Sequence, residues 1–377
     1  MKDPFPIPPP VWLVEKVLPY ANSLGLPTLA LHAHEVLFAF TLYTVVGSVV
    51  SPILSRRFVP QKYKLLNHRT KVNWDVHVVS FFQSVLISAL SLYVIFYDEQ
   101  RIAVRPRDQW EGRVWEYTGL SGLCQSFALG YFLWDFIQCS YHVDIFGLGM
   151  LAHAISAMSV FALGYRPFIY FYAPVFLLYE LSSPFLNVHW FCDKLNLTGS
   201  PIQAINGVFL VGSFFACRLI WGNYSSVLVF MDIYNAIFNG NTEITKNSTG
   251  APKHYSAQDL MSIYGDEQGQ LLAFAGSQGI PLWLGLVYLA SNLTLNSLNI
   301  FWFGKMIQTI RSRFDPPLGT KGLGKEVKHW EREEKVEAVN ATSSPAAGHV
   351  DIQRVVNADG SNSVEITQRS LRTRRKA

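Results

Sequence analysis

Asp135, His153 and Glu180 stand inside long apolar stretches of this chain. An ionised group in hydrocarbon costs at least a few kcal/mol, so each should turn inward, find a partner and mark a functional or structural site. Glu180 opens the run Glu180-Leu181-Ser182-Ser183-Pro184-Phe185-Leu186-Asn187. Pro184 has no N–H to give to the carbonyl of Glu180, and its ring kinks a helix there. The freed carbonyl adds an acceptor beside the carboxylate.

Long helices must position these groups. Half of the 377 residues are apolar, 14% are aromatic and only 15% are charged, below the roughly 25% of soluble domains. Apolar runs of about 20 residues recur at Leu31 to Leu54, Val76 to Phe96, Leu120 to Tyr141, Gly147 to Tyr165, Phe168 to Val188, Ile202 to Trp221 and Ile280 to Phe303. The pattern predicts an all-α polytopic membrane bundle of about seven transmembrane helices. Val227 to Phe238 is too short to span and contains Asp232, so it reads as an interfacial segment or an extension of the sixth helix.

Three divisions follow: an N-terminal segment with the first helix and a basic loop (1–66), a helical domain (67–313) and a polar tail (314–377). The tail is too polar to bury a core and is expected to be disordered. The proline-rich start lacks the pattern of a cleaved signal peptide, so the first span is expected to be retained. Cys124, Cys139, Cys192 and Cys217 show no CxxC spacing and form neither a disulfide framework nor a zinc site. No metal ligand set, Gly-rich phosphate loop or nucleic-acid signature is visible.

Loop charge predicts orientation. Arg56, Arg57, Lys62, Lys64, Arg69 and Lys71 follow the first span without an acidic residue, which places that loop in the cytosol, the N-terminus in the lumen and the C-terminus in the cytosol. The triplet Asn247-Ser248-Thr249 then falls on the lumenal side as a glycosylation acceptor. Arg218, near the end of the sixth run, is expected to snorkel to the interface.

Helical spacing gathers further polar residues. Glu180, Ser183 and Asn187 share one helix face, as do Asp135, Gln138 and His142. Counting about 1.5 Å per residue, His77, Asp135, His153, Glu180, Asn206 and Asn296 fall about 8 to 12 Å below the cytosolic boundary. With Gln138, His142, Ser156, Ser183, Asn187 and Asn299 they are predicted to line one cavity open to the cytosolic leaflet. Asn206, Asn296 and Ser183 also suit a second role, as hydrogen-bonding glue between helices.

The chain resembles the TLC-domain superfamily, which includes ceramide synthases and smaller TLC-domain proteins. The likeness runs over roughly Asn67 to Arg313. It is carried by Trp134-Asp135, Met150-Leu151-Ala152-His153, the Glu180 to Asn187 run, and Asn206-Gly207 with Phe215 and Arg218. The Glu/Ser/Pro/Asn run is closer to the smaller proteins. The resemblance implies a six-helix core plus one N-terminal helix, residence in the endoplasmic reticulum, and lipid handling through bound acyl chains or sphingolipid-like molecules. It also implies an alternative, N-acyl transfer from acyl-CoA as substrate, with His153 as base or nucleophile and Asp135 or Glu180 orienting it. Ceramide synthases carry paired histidines on this helix, whereas here Ala152 and Ala154 flank His153. A cargo receptor or transporter is a third class. No resident cofactor is implied.

Overall fold

The computed structural model describes residues 2–238, 254–266, 272–274 and 281–313, together with two strands in the tail. The glycosylation triplet at Asn247 lies outside these residues. Because a chain in lipid must satisfy its backbone polar groups internally, apolar runs of this length fold as helices. The first, α1 (Val11–Leu24), is amphipathic and ends at Gly25, whose left-handed φ of 67° lets the chain turn. Helix α2 (Pro27–Phe58) and helix α3 (His68–Tyr97) are each long enough to span a bilayer.

Helix α4 (Gly119–Tyr141) runs up the middle of the bundle and is buried along most of its length. A Cβ at Gly130 would lie 2.9 Å from the α2 backbone, so glycine there brings the two helices together. Helix α5 (Val143–Leu163) contains Gly147 at φ 79°, and the straight part begins beyond it. Two tracts continue one another from Pro201 as α7 (Pro201–Phe238), with a π segment at Phe215–Trp221. The segment carrying Asp232 is therefore an extension of the sixth predicted helix. Helix α8 (Ala257–Gly265) has a capping box at Ser256 and Asp259. Helix α9 (Leu282–Arg313) closes the bundle.

The predicted span Phe168 to Val188 is not one helix. It begins at Ile169, with φ 60°, and runs through a 3-10 turn (Tyr170–Tyr172), a helical turn (Ala173–Leu177) and a second 3-10 stretch (Leu178–Ser182). Only then does helix α6 (Ser183–Lys194) start, with Pro184 in its first turn. Pro174 and Pro184 cannot donate into a helix interior, so each begins a new segment instead. Among the described residues five helices are long and apolar enough to cross a membrane, fewer than about seven; the Phe168 to Val188 tract is broken, and α4 is buried along most of its length and carries Gln125 and Asp135.

One end of the bundle carries the N-terminus. There Thr28 Oγ1 donates to the Tyr165 carbonyl at 2.8 Å, and Asn22 Nδ2 to the Tyr255 carbonyl at 2.9 Å. Tyr117, Tyr170 and Phe274 meet above them. At the opposite, basic end Tyr63, Trp74, Trp190 and Phe191 pack edge to face. Connections predicted to share a side of the membrane thus meet in space. In the tail, β1 (Val350–Val356) pairs antiparallel with β2 (Asn362–Gln368), Val350 opposite Gln368, where the sequence reading held no regular element.

Candidate functional site

A cavity of about 950 Å³, mouth included, lies between α4, α5, the broken tract, α7 and α9. Its walls are apolar, with Phe132, Ala157, Val160, Phe161, Phe176 and Leu295 among them, and its polar groups are Gln125, His153, Glu180, Arg218, Asn292 and Asn299. Apolar walls with a few convergent polar groups describe a small-molecule site.

Arg218 organises the polar wall. It sits at mid-length of α7 rather than near a helix end, and it is buried. Its Nε donates to the Tyr179 carbonyl at 2.9 Å and to Ser182 Oγ at 3.1 Å. Nη1 donates to Asn299 Oδ1 at 3.1 Å, Nη2 donates to Ser183 Oγ at 3.3 Å, and Nη2 lies 3.7 Å from Glu180 Oε1. The guanidinium carbon stands 5.0 Å from the Phe214 ring centre. Arg218 thus does not snorkel. The carbonyl it uses is that of Tyr179, one residue before the carbonyl Pro184 was expected to free. The 3-10 geometry of Leu178–Ser182 turns that carbonyl and the two hydroxyls toward one planar donor fork.

His153 faces the same cavity, edge-on to Trp302 with centroids 5.7 Å apart. Its Nδ1 is buried with no hydrogen-bond partner. Among the described residues no hydrogen bond joins His153 to Asp135 or Glu180. Asp135 is buried outside the cavity, 3.8 Å from Cys139 Sγ.

The other predicted cavity residues are divided. Only Asn299 joins Glu180 and His153 in the cavity wall, while Ser183 and Asn296 stand one shell behind it. Asn296 Nδ2 donates to Asn292 Oδ1 at 2.9 Å and to Ser226 Oγ at 3.3 Å, and its Oδ1 accepts from Tyr179 Oη at 3.2 Å. His77 lies 2.6 Å from Asn187 Oδ1 and stacks on Trp190 at 4.1 Å, and Asn187 Nδ2 donates to Ser80 Oγ. Asn206 Nδ2 donates to the Phe185 carbonyl at 2.8 Å. These bonds hold helices together. Ser156 is buried outside the cavity, and neither Gln138 nor His142 lines it; the His142 ring meets Tyr141 and Phe146.

The cavity also extends the other way from the expectation. Gln125, Gly164, Phe168, Ile169 and Tyr170 form its far wall, at the end of the bundle that carries the N-terminus. The sequence reading missed Gln125 and Asn292 in the wall, and it gave Arg218 another role. The available signal was Arg218 itself, a guanidinium inside an apolar helix.

Residues 73–308 match the family model described as TLC domain. That is well over half of the chain. The chain belongs to the TLC-domain family. A TLC domain-containing protein of Schizosaccharomyces pombe is 32% identical over 81% of this chain and 87% of its own length. Topoisomerase I damage affected protein 4 of Saccharomyces cerevisiae is 27% identical over 79% of this chain and 90% of its own. Human TLC domain-containing protein 4 is 27% identical over 42% of this chain and 58% of its own. These relatives are smaller TLC-domain proteins, not ceramide synthases. The Glu180, Arg218 and His153 groups all fall within the matched TLC domain, and the protein is an integral membrane protein.

Proposed function

We propose that this TLC domain handles membrane lipids by holding an acyl chain in the cavity, with the lipid's polar group at the Arg218, Glu180 and Asn299 wall. What supports this most is the cavity itself: an aromatic and aliphatic chamber with Glu180, Arg218 and Asn299 gathered at one wall. The apolar walls exclude water and follow a chain, while the polar wall fixes where the head group stops. The test is purification in detergent and mass spectrometry of co-purified lipid. Enrichment of a defined acyl lipid in wild type that is lost in Ala157→Phe is expected; the same lipid profile in both would overturn the reading.

The unpartnered Nδ1 of His153 favours a second reading, acyl transfer. A long-chain base would attack the thioester carbonyl of acyl-CoA, the C–S bond would break and CoA thiolate would leave. His153 would take the amine proton and return it to the thiolate. Amide formation by the purified protein that disappears in His153→Ala supports this; no product from wild type removes it.

With this reading goes residence in the endoplasmic reticulum membrane, which the family resemblance implies, and a lumenal N-terminus and cytosolic C-terminus, which the basic loop Arg56 to Lys71 supports. Glycosidase treatment tests the orientation: the wild type should shift in size and Asn247→Gln should not. A wild type that never shifts would leave the lumenal side without support.

A further inference from the structure

A separate cluster lies outside the cavity, at the end of the bundle that carries the N-terminus. His32 and Glu35 are one turn apart on α2, so both side chains face α4 and the N-terminal segment. Asp3 of that segment folds down against them. A Cβ on Gly119 would fall 2.7 Å from the Asp3 backbone nitrogen, and a Cβ on Gly122 would collide with His32 Nε2. Glycine at these two positions on α4 leaves room for the segment and the imidazole.

The donor atoms converge. His32 Nδ1 is 2.9 Å from Glu35 Oε2 and 3.7 Å from Asp3 Oδ2, and all three side chains have no exposure. One ligand atom from each residue lies within 4.8 Å of the others. Asp3 Oδ2 and Glu35 Oε1 are buried without a hydrogen-bond partner. Among the described residues neither carboxylate is in an ion pair with Lys or Arg.

The two buried carboxylates face two imidazoles, His32 and, with Nε2 3.6 Å from Glu35 Oε1, His34, and, among the described residues, no Lys or Arg. On the far side of the ring, Nε2 lies 2.8 Å from Tyr117 Oη. In the tautomer in which Nε2 donates to Tyr117, the Nδ1 lone pair faces the carboxylates, the outer-shell arrangement of a metal-bound imidazole.

We propose that Asp3, His32 and Glu35 bind one divalent transition-metal ion of the zinc class, which clamps the N-terminal segment to α2 and α4. The ligand chemistry selects the ion. One imidazole nitrogen with two carboxylates suits zinc, whereas calcium takes six to eight oxygens and magnesium keeps an octahedral oxygen shell. Metal–ligand bonds of about 2.0–2.1 Å set tetrahedral ligand atoms about 3.3 Å apart, between the two separations from Nδ1.

The test uses the full chain purified in detergent, incubated with zinc sulfate, passed over a desalting column and analysed for metal. Wild type should retain about one zinc per chain and melt at a higher temperature with zinc than after chelation. Asp3→Asn and Glu35→Gln preserve shape and remove charge, and each should lose the retained zinc while eluting at the wild-type volume. A wild type that retains none overturns the site, as the two carboxylates would then share a proton. So would equal retention in wild type and the Asp3→Asn, Glu35→Gln double variant.

Discussion

The Arg218 wall and the His77–Asn187 layer are built from the same kinds of residue, yet they do different things. At Arg218 one guanidinium is shared among a carbonyl, two hydroxyls, an amide and a carboxylate, and an open cavity lies beside it. At His77 an imidazole, an amide and a hydroxyl satisfy one another, under a stacked Trp190. A polar group between membrane helices becomes a site when space remains next to it. Where the groups close on each other, they are packing glue worth about 0.6 to 2 kcal/mol each.

The largest effect should come from Arg218→Leu, which leaves Glu180 buried without its cation. Removing one partner of a buried pair costs about 3–5 kcal/mol, so the variant should lose most of its monodisperse yield. Arg218→Leu with Glu180→Leu should recover fold, as judged by gel filtration, without recovering bound lipid. Recovery of lipid as well would place the polar contact elsewhere.

A different burial problem provides a control outside both regions. Glu116, in the connection before α4, is pushed up to about 8 by burial, with Arg101 opposing and Asp98 adding to the rise. Between its ordinary 4.5 and about 8 the native state holds a proton that the unfolded chain has released. Stability should therefore fall as pH rises through that window, by at most about 1.4 kcal/mol per pH unit, and level off above it. Melting curves of wild type and Glu116→Gln should converge at low pH and separate at high pH, with the variant the more stable there.

Ala157→Phe should fill the cavity at a cost of about 1–3 kcal/mol at most, abolish co-purified lipid and leave the folded yield near wild type. Asn187→Ala should be the mildest, about 1 kcal/mol in thermal stability, with the lipid unchanged. Lipid loss in Asn187→Ala would erase the distinction between the two regions.

The helices were largely readable, and their contents less so. Glu180 and His153 could be picked out because their charge is conspicuous in an apolar run, and both line the cavity. Asn206 sits at the same nominal depth and Asn187 on the same predicted face as Glu180, but both face neighbouring helices. Depth along a helix follows from residue number, whereas which neighbour fills the facing space does not. Arg218 was misread because Val227 to Phe238 was too short to span alone. Joined to the sixth helix across a π segment, it makes α7 38 residues long, and Arg218 moves from near an end to the middle. His32 and Glu35 escaped notice because Asp3, their partner, is remote in sequence.

Composition and apolar periodicity by themselves determined an all-α membrane protein and the positions of most helices, since bilayer thickness and backbone satisfaction allow few alternatives, while the family resemblance was carried by short motifs such as the Glu180 to Asn187 run. The break at Pro174 and Pro184 was half legible, as a kink. Tertiary structure alone decided which polar groups meet. A hydrogen bond or an ion pair needs atoms within about 3 to 4 Å, and residues 3, 32 and 35, or 180, 218 and 299, reach that range only after separate helices have packed.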